Sequence, residues 1–143
     1  MNRLKKSVLL STMLTLSMNG YALAGDIKMA SVAKGDNSVL LSKESKPLTI
    51  QPGSITAKMQ CKNSDDFAFI AVYQQGLPTD VQFLENMQIM QPLSDKGNWN
   101  SPTKGGATLT HKIDVGKYVA TFYCVDRPKG SYAANGSIEI MVK

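Results

Sequence analysis

A single histidine, a single tryptophan and two cysteines are all that these 143 residues hold of three side chains central to enzyme and metal chemistry. One histidine cannot make an HExxH metal pair, and no Ser–His–acid order can be assembled around it. No glycine-rich phosphate loop is present. After the first two dozen positions no apolar run approaches the roughly 18 residues that a membrane-spanning helix needs. Lysines are scattered singly rather than in blocks, which removes the main support for a nucleic-acid or polybasic membrane surface. No amphipathic helix, internal repeat or low-complexity tail can be traced.

The opening residues do have a clear pattern. Arg3, Lys5 and Lys6 precede an apolar run from Ser7 to Met18, and Ala22-Leu23-Ala24 supplies the small-x-small pattern of a signal-peptidase site. The expectation is a signal peptide over 1–24, cleaved after Ala24, and one domain over 25–143. No cysteine follows the cleavage site, so no lipid anchor is expected there, and the compartment is periplasmic or secreted. Three of the sixteen Lys and Arg residues and none of the acids lie in the leader. The rest of the chain then carries thirteen cations against eleven acids, a mildly basic surface.

The remainder reads as short alternating runs separated by turn residues, the pattern of an all-β domain. Tyr118, Ala120, Phe122 and Cys124 share one face of a strand, and Val119, Thr121, Tyr123 and Val125 share the other, so this strand is expected to be buried on both sides. Ile55, Ala57, Met59 and Cys61 alternate with Thr56, Lys58, Gln60 and Lys62, a half-buried strand. Phe67 to Tyr73 is apolar on both faces and reads as central. Ile27 to Val32, Ser38 to Leu41, Leu48 to Ile50, Val81 to Leu84, Met87 to Met90, Ala107 to Ile113 and Ile138 to Val142 complete the candidates. Ser94 to Gly106, with Trp99, and Asp126 to Gly136 are expected to be surface loops. Asn135-Gly136 gives a turn or bulge signal. Two cysteines in an exported chain most simply form one disulfide, here Cys61 with Cys124.

Seven to nine short strands in a chain of this length predict an antiparallel β-sandwich. Pro52-Gly-Ser-Ile-Thr-Ala-Lys-Met-Gln-Cys61 resembles the second strand of an immunoglobulin domain. Asp114-Val-Gly-Lys-Tyr118, followed by Cys124, resembles the Asp-x-Gly-x-Tyr-x-Cys corner before the partner cysteine. The resemblance covers roughly Leu48 to Cys124 and implies an immunoglobulin-like sandwich with one inter-sheet disulfide. In this sequence Tyr118 lies six residues before Cys124 rather than two, and the third-strand core position has no tryptophan.

Two weaker likenesses bear on function. Gly116 to Cys124 is similar to the copper-ligand strand of cupredoxins, whose site needs two histidines and an axial methionine. The segment after Cys124 holds no histidine, and no methionine before Met141, so no cofactor is expected. A Cu(I) thioether site among Met29, Met59, Met87 and Met90 is the metal alternative; a methionine filling the core is the plainer reading of Met59. Arg127-Pro128 and Gly105-Gly106 are similar to the loops of chagasin-type cysteine-protease inhibitors.

The function expected is an exported, non-catalytic binding module, inhibitor or adhesin-like, that meets a protein partner through loops at one end of the sandwich. The first alternative is a fimbria-like appendage subunit assembled by strand exchange, with the stretch from Gly25 to Val32 free to donate. The second is a periplasmic copper protein. The expected contact set is Arg127, Lys129 and an exposed Tyr132, with Trp99 as a further candidate, since Tyr, Trp and Arg dominate binding hot spots. His111 shares its face with Leu109 and Ile113, as either a neutral hydrogen-bonded residue or a pH-sensitive contact.

Overall fold

A strand that is apolar on both faces needs cover on two sides, and the covers of Gly116–Val125 account for most of the architecture. The computed structural model describes residues 26–76, 81–83, 98–99, 103–127 and 130–143. They form strands β1 (Ile27–Lys34), β2 (Asn37–Leu40), β3 (Leu48–Ile50), β4 (Gly53–Cys61), β5 (Phe67–Gln74), β6 (Val81–Phe83), β7 (Asn98–Trp99), β8 (Thr103–Lys104), β9 (Gly106–Ile113), β10 (Gly116–Val125), β11 (Gly130–Tyr132) and β12 (Gly136–Val142). One sheet has the order β2-β1-β4-β9. A second has the order β3-β12-β10-β5-β7, with β8 also on β5, and β11 pairs with β6 in a small third sheet. Among the described residues no helix is long and apolar enough to cross a membrane.

The main core lies between the two large sheets. Ala57 and Met59 from β4 and Val32 from β1 meet Ile70 and Val72 from β5, Phe122 from β10 and Ile140 from β12. Each such large side chain, fully buried, contributes roughly 1.5–3 kcal/mol relative to exposure. The alternation of β4 is seen as expected: Ile55, Ala57, Met59 and Cys61 are buried, while Lys58 and Gln60 are exposed. Cys61 and Cys124 form a disulfide across this core, with Cα atoms 5.7 Å apart.

The second cover is a separate core on the outer face of the β10 sheet. Phe69, Ala71 and Tyr73 from β5, with Tyr123 and Val125 from β10, pack against Val81 and Phe83 of β6 and Tyr132 of β11. Thr121 is fully buried here, and its hydroxyl donates to the Ala71 carbonyl at 3.0 Å across the β10–β5 pair. That bond meets the need of the Thr121 hydroxyl on this apolar face.

Several expectations need correction. The strands number twelve among the described residues, not seven to nine, because β7, β8 and β11, each only two or three residues long, lie where loops were expected. Runs that short carry no legible alternation. The Asp126 to Gly136 stretch is not one loop, since it contains β11. The sheets are not purely antiparallel: β3 and β12 pair in parallel, Leu48 with Ile140 and Ile50 with Val142. Both strands run away from the disulfide end, so once the 41–47 connection carries the chain beside β12 no other direction is open. The N-terminal stretch is not spare. β1 lies between β2 and β4, with Ala30 and Val32 in the main core. Residues 1–25, together with Met87 and Met90, lie outside the described residues.

Candidate binding surface

The strand registers gather one set of connections at the disulfide end. Ile27 pairs with Cys61, Val125 with Phe67, and Phe122 with Gly136. The β4–β5 turn, the residues before β9 and the segment after β10 therefore share this end. Gly105 ties them together: its N–H donates to the Asp66 carbonyl at 2.7 Å and its carbonyl accepts from the Cys61 N–H at 2.9 Å. Its φ of +82° suits glycine, and a Cβ there would stand 3.3 Å from the Ser64 carbonyl oxygen. On the neighbouring side Asn135 serves the end of β10 twice. Its N–H donates to Phe122 O at 2.8 Å, and its side-chain oxygen accepts from the Cys124 N–H at 2.9 Å.

Arg127 leaves this end into solvent and is exposed. Its backbone is held from below. The Tyr132 hydroxyl donates to the Arg127 carbonyl at 2.6 Å and lies 3.2 Å from Asp126 Oδ1. The Tyr132 ring packs on Phe83 at a centroid distance of 6.1 Å, and Phe83 meets Phe69 edge-on at 5.4 Å. Burial, then the Asp126 charge, pushes the Tyr132 phenol above its ordinary value, so the hydroxyl stays protonated as the donor.

Tyr132 is thus not the exposed contact residue that the sequence suggested. It is 1% exposed, because β11 pairs with β6 and turns the ring into the second core. Trp99 is likewise not on an open loop. It pairs with Ala71 at the β5 edge and is half-buried against the second core. Arg127 and Tyr132 come together through a backbone carbonyl, and Lys129 lies outside the described residues. Met59 is a core residue, 2% exposed. Among the described residues no group of three or more His, Cys, Asp or Glu side chains is placed to hold a metal ion.

Two features, one at this end and one along the β7 and β9 edges, had no sequence signal. Asp66 is buried, and burial, then the charges of Asp126 and Asp65, raise its carboxyl above the ordinary carboxylate range. Asn98 bridges from β7 to His111 on β9. An isolated Asp or Asn in a loop carries no periodicity, so neither could be found by pattern. No family model matches the chain, and no curated protein or solved structure matches it.

Proposed function

We propose that this chain is an exported, non-catalytic binding module of immunoglobulin-like architecture that meets a protein partner with the segment after β10. The observation that carries the reading is the pairing of an exposed Arg127 side chain with a backbone held by the buried Tyr132. A contact residue on a fixed base loses little conformational freedom on binding, which is how preorganised loops gain affinity. Arg127 and Lys129 are the contact residues of this proposal, Tyr132 is the support of Arg127, and Trp99 is a secondary candidate.

The immunoglobulin-like part of the reading rests on the strand order. The run β1-β4-β9 matches the A-B-E order of that fold, and β12-β10-β5 matches G-F-C, with the disulfide joining the B and F positions. The small third sheet and the parallel β3–β12 pair are additions to that plan. The integration of β1 into the main core weighs against an appendage subunit that donates its N-terminal strand.

Affinity capture from envelope and culture-fluid extracts with the oxidised protein tests the proposal. One stoichiometric partner is expected. A ladder of self-multimers would favour the appendage reading and overturn the module.

A further inference from the structure

The histidine of this chain sits at an unusual junction. His111 lies on β9, at the edge of the first large sheet, and Asn98 lies on β7, at the edge of the second. Asn98 Nδ2 and His111 Nδ1 are 3.0 Å apart, so this contact bridges the two sheets. The Trp99 N–H donates to Asn98 Oδ1 at 3.0 Å. That bond fixes the amide, leaving Nδ2 as the group that faces the imidazole. Nδ2 is only a donor, so His111 Nδ1 must accept, and the ring proton belongs on Nε2. A backbone amide of Trp99 thereby dictates the tautomer of a histidine on another sheet.

A protonated imidazole has no acceptor. Protonated, His111 would set an N–H against the Asn98 amino group. Turning the amide around would relieve that clash, but it would set the amino group against the Trp99 N–H. One of the two bonds is lost either way. The positions that share the core side with the ring are Ile55 and Ala57 of β4 and Ile70 and Val72 of β5, none of them charged. Lys112 points to the opposite face, Asp114 follows the end of β9, and Lys104 stands before its start. Burial alone lowers the imidazole below its ordinary value.

We propose that Asn98 and His111 form a proton-sensitive clasp that holds β7, with Trp99, against the body of the domain, and that acidification releases it. Neutral imidazole closes the clasp. Among the described residues β7 is otherwise retained by its two-residue pairing with Val72 and Ala71 and by the half-buried Trp99 ring against the second core.

The chain has one tryptophan and one histidine, so both ends of the clasp can be read in the oxidised protein without labels. Trp99 emission and the His111 ring-proton resonances should be followed from about pH 8 to about pH 5, with far-UV circular dichroism recorded alongside. Both signals are expected to move together at one midpoint below 6.5, with the dichroism unchanged. In His111→Gln, which keeps an acceptor but does not titrate, the emission should stay flat. Trp99 emission that ignores the histidine titration would overturn the clasp, as would an emission transition that persists in His111→Gln. A histidine midpoint at or above 6.5 would contradict it as well, and this reading needs no variant to fold.

Discussion

The Tyr132 hydroxyl and the Arg127 carbonyl oxygen stand 2.6 Å apart, one inside the second core and the other at the base of an exposed segment. Tyr132→Phe keeps the ring packing and removes this bond and its contact with Asp126. Loss of about 1 kcal/mol is expected in denaturant unfolding, the usual net value of one such bond. A loss near zero would mean that the hydroxyl does not hold the loop.

The same residue predicts a pH dependence. Burial and the Asp126 charge raise the folded phenol above the ordinary 10.0. Above that pH the unfolded chain releases a proton that the folded chain retains, so the contribution is full below pH 10 and is lost as pH rises through the folded value. Tyr132→Phe should therefore flatten part of the alkaline fall in stability. Equal slopes in the two proteins would count against this.

Asp66 gives a pH dependence of the same sign, at the acid end of the scale. Its folded carboxyl is raised above 3.8 by burial and by two neighbouring aspartates, so the ionised form is disfavoured in the fold. Stability from this group is full below 3.8 and lost as pH rises through the folded value. Asp66→Asn removes the charge and should raise the melting temperature at neutral pH. A lower melting temperature would show that the carboxylate makes a stabilising bond that outweighs the repulsion.

The disulfide spans a sequence separation of 63 residues. Chain entropy for a loop of that size gives roughly 4 kcal/mol, so Cys61→Ser should destabilise by about 2–4 kcal/mol. Non-reducing mass analysis of the unmodified protein should find no free thiol, and two alkylatable thiols without reductant would contradict the pairing.

How much of this was legible in the sequence follows from where periodicity exists. Ile55 to Cys61 and Tyr118 to Val125 alternate over enough residues to declare their faces, and both disulfide positions end such runs. Phe69, Ala71 and Tyr73 declared that β5 needs an outer cover but not what supplies it. The cover comes from Val81 and Phe83, on a run that read only as a candidate strand, and from Tyr132, on a three-residue strand too short for a period-two signal. That is why Tyr132, read within a loop, was expected in solvent. Trp99 misled in the same way, since a two-residue edge strand amid glycine and proline resembles an open loop. The Asn98–His111 bridge depends on two sheet edges meeting, a relation that no single segment encodes.

The central claim is that the segment after β10 is the contact surface and Tyr132 only its support. The direct test compares partner capture by the oxidised protein with capture by Arg127→Ala/Lys129→Ala, both checked for equal melting temperature. Truncating hot-spot side chains commonly costs about 2 kcal/mol or more, close to thirtyfold in affinity. The account predicts that the double variant melts as the parent does and loses capture by at least about tenfold. Undiminished capture by a folded double variant would contradict it and place the contact surface elsewhere on the molecule.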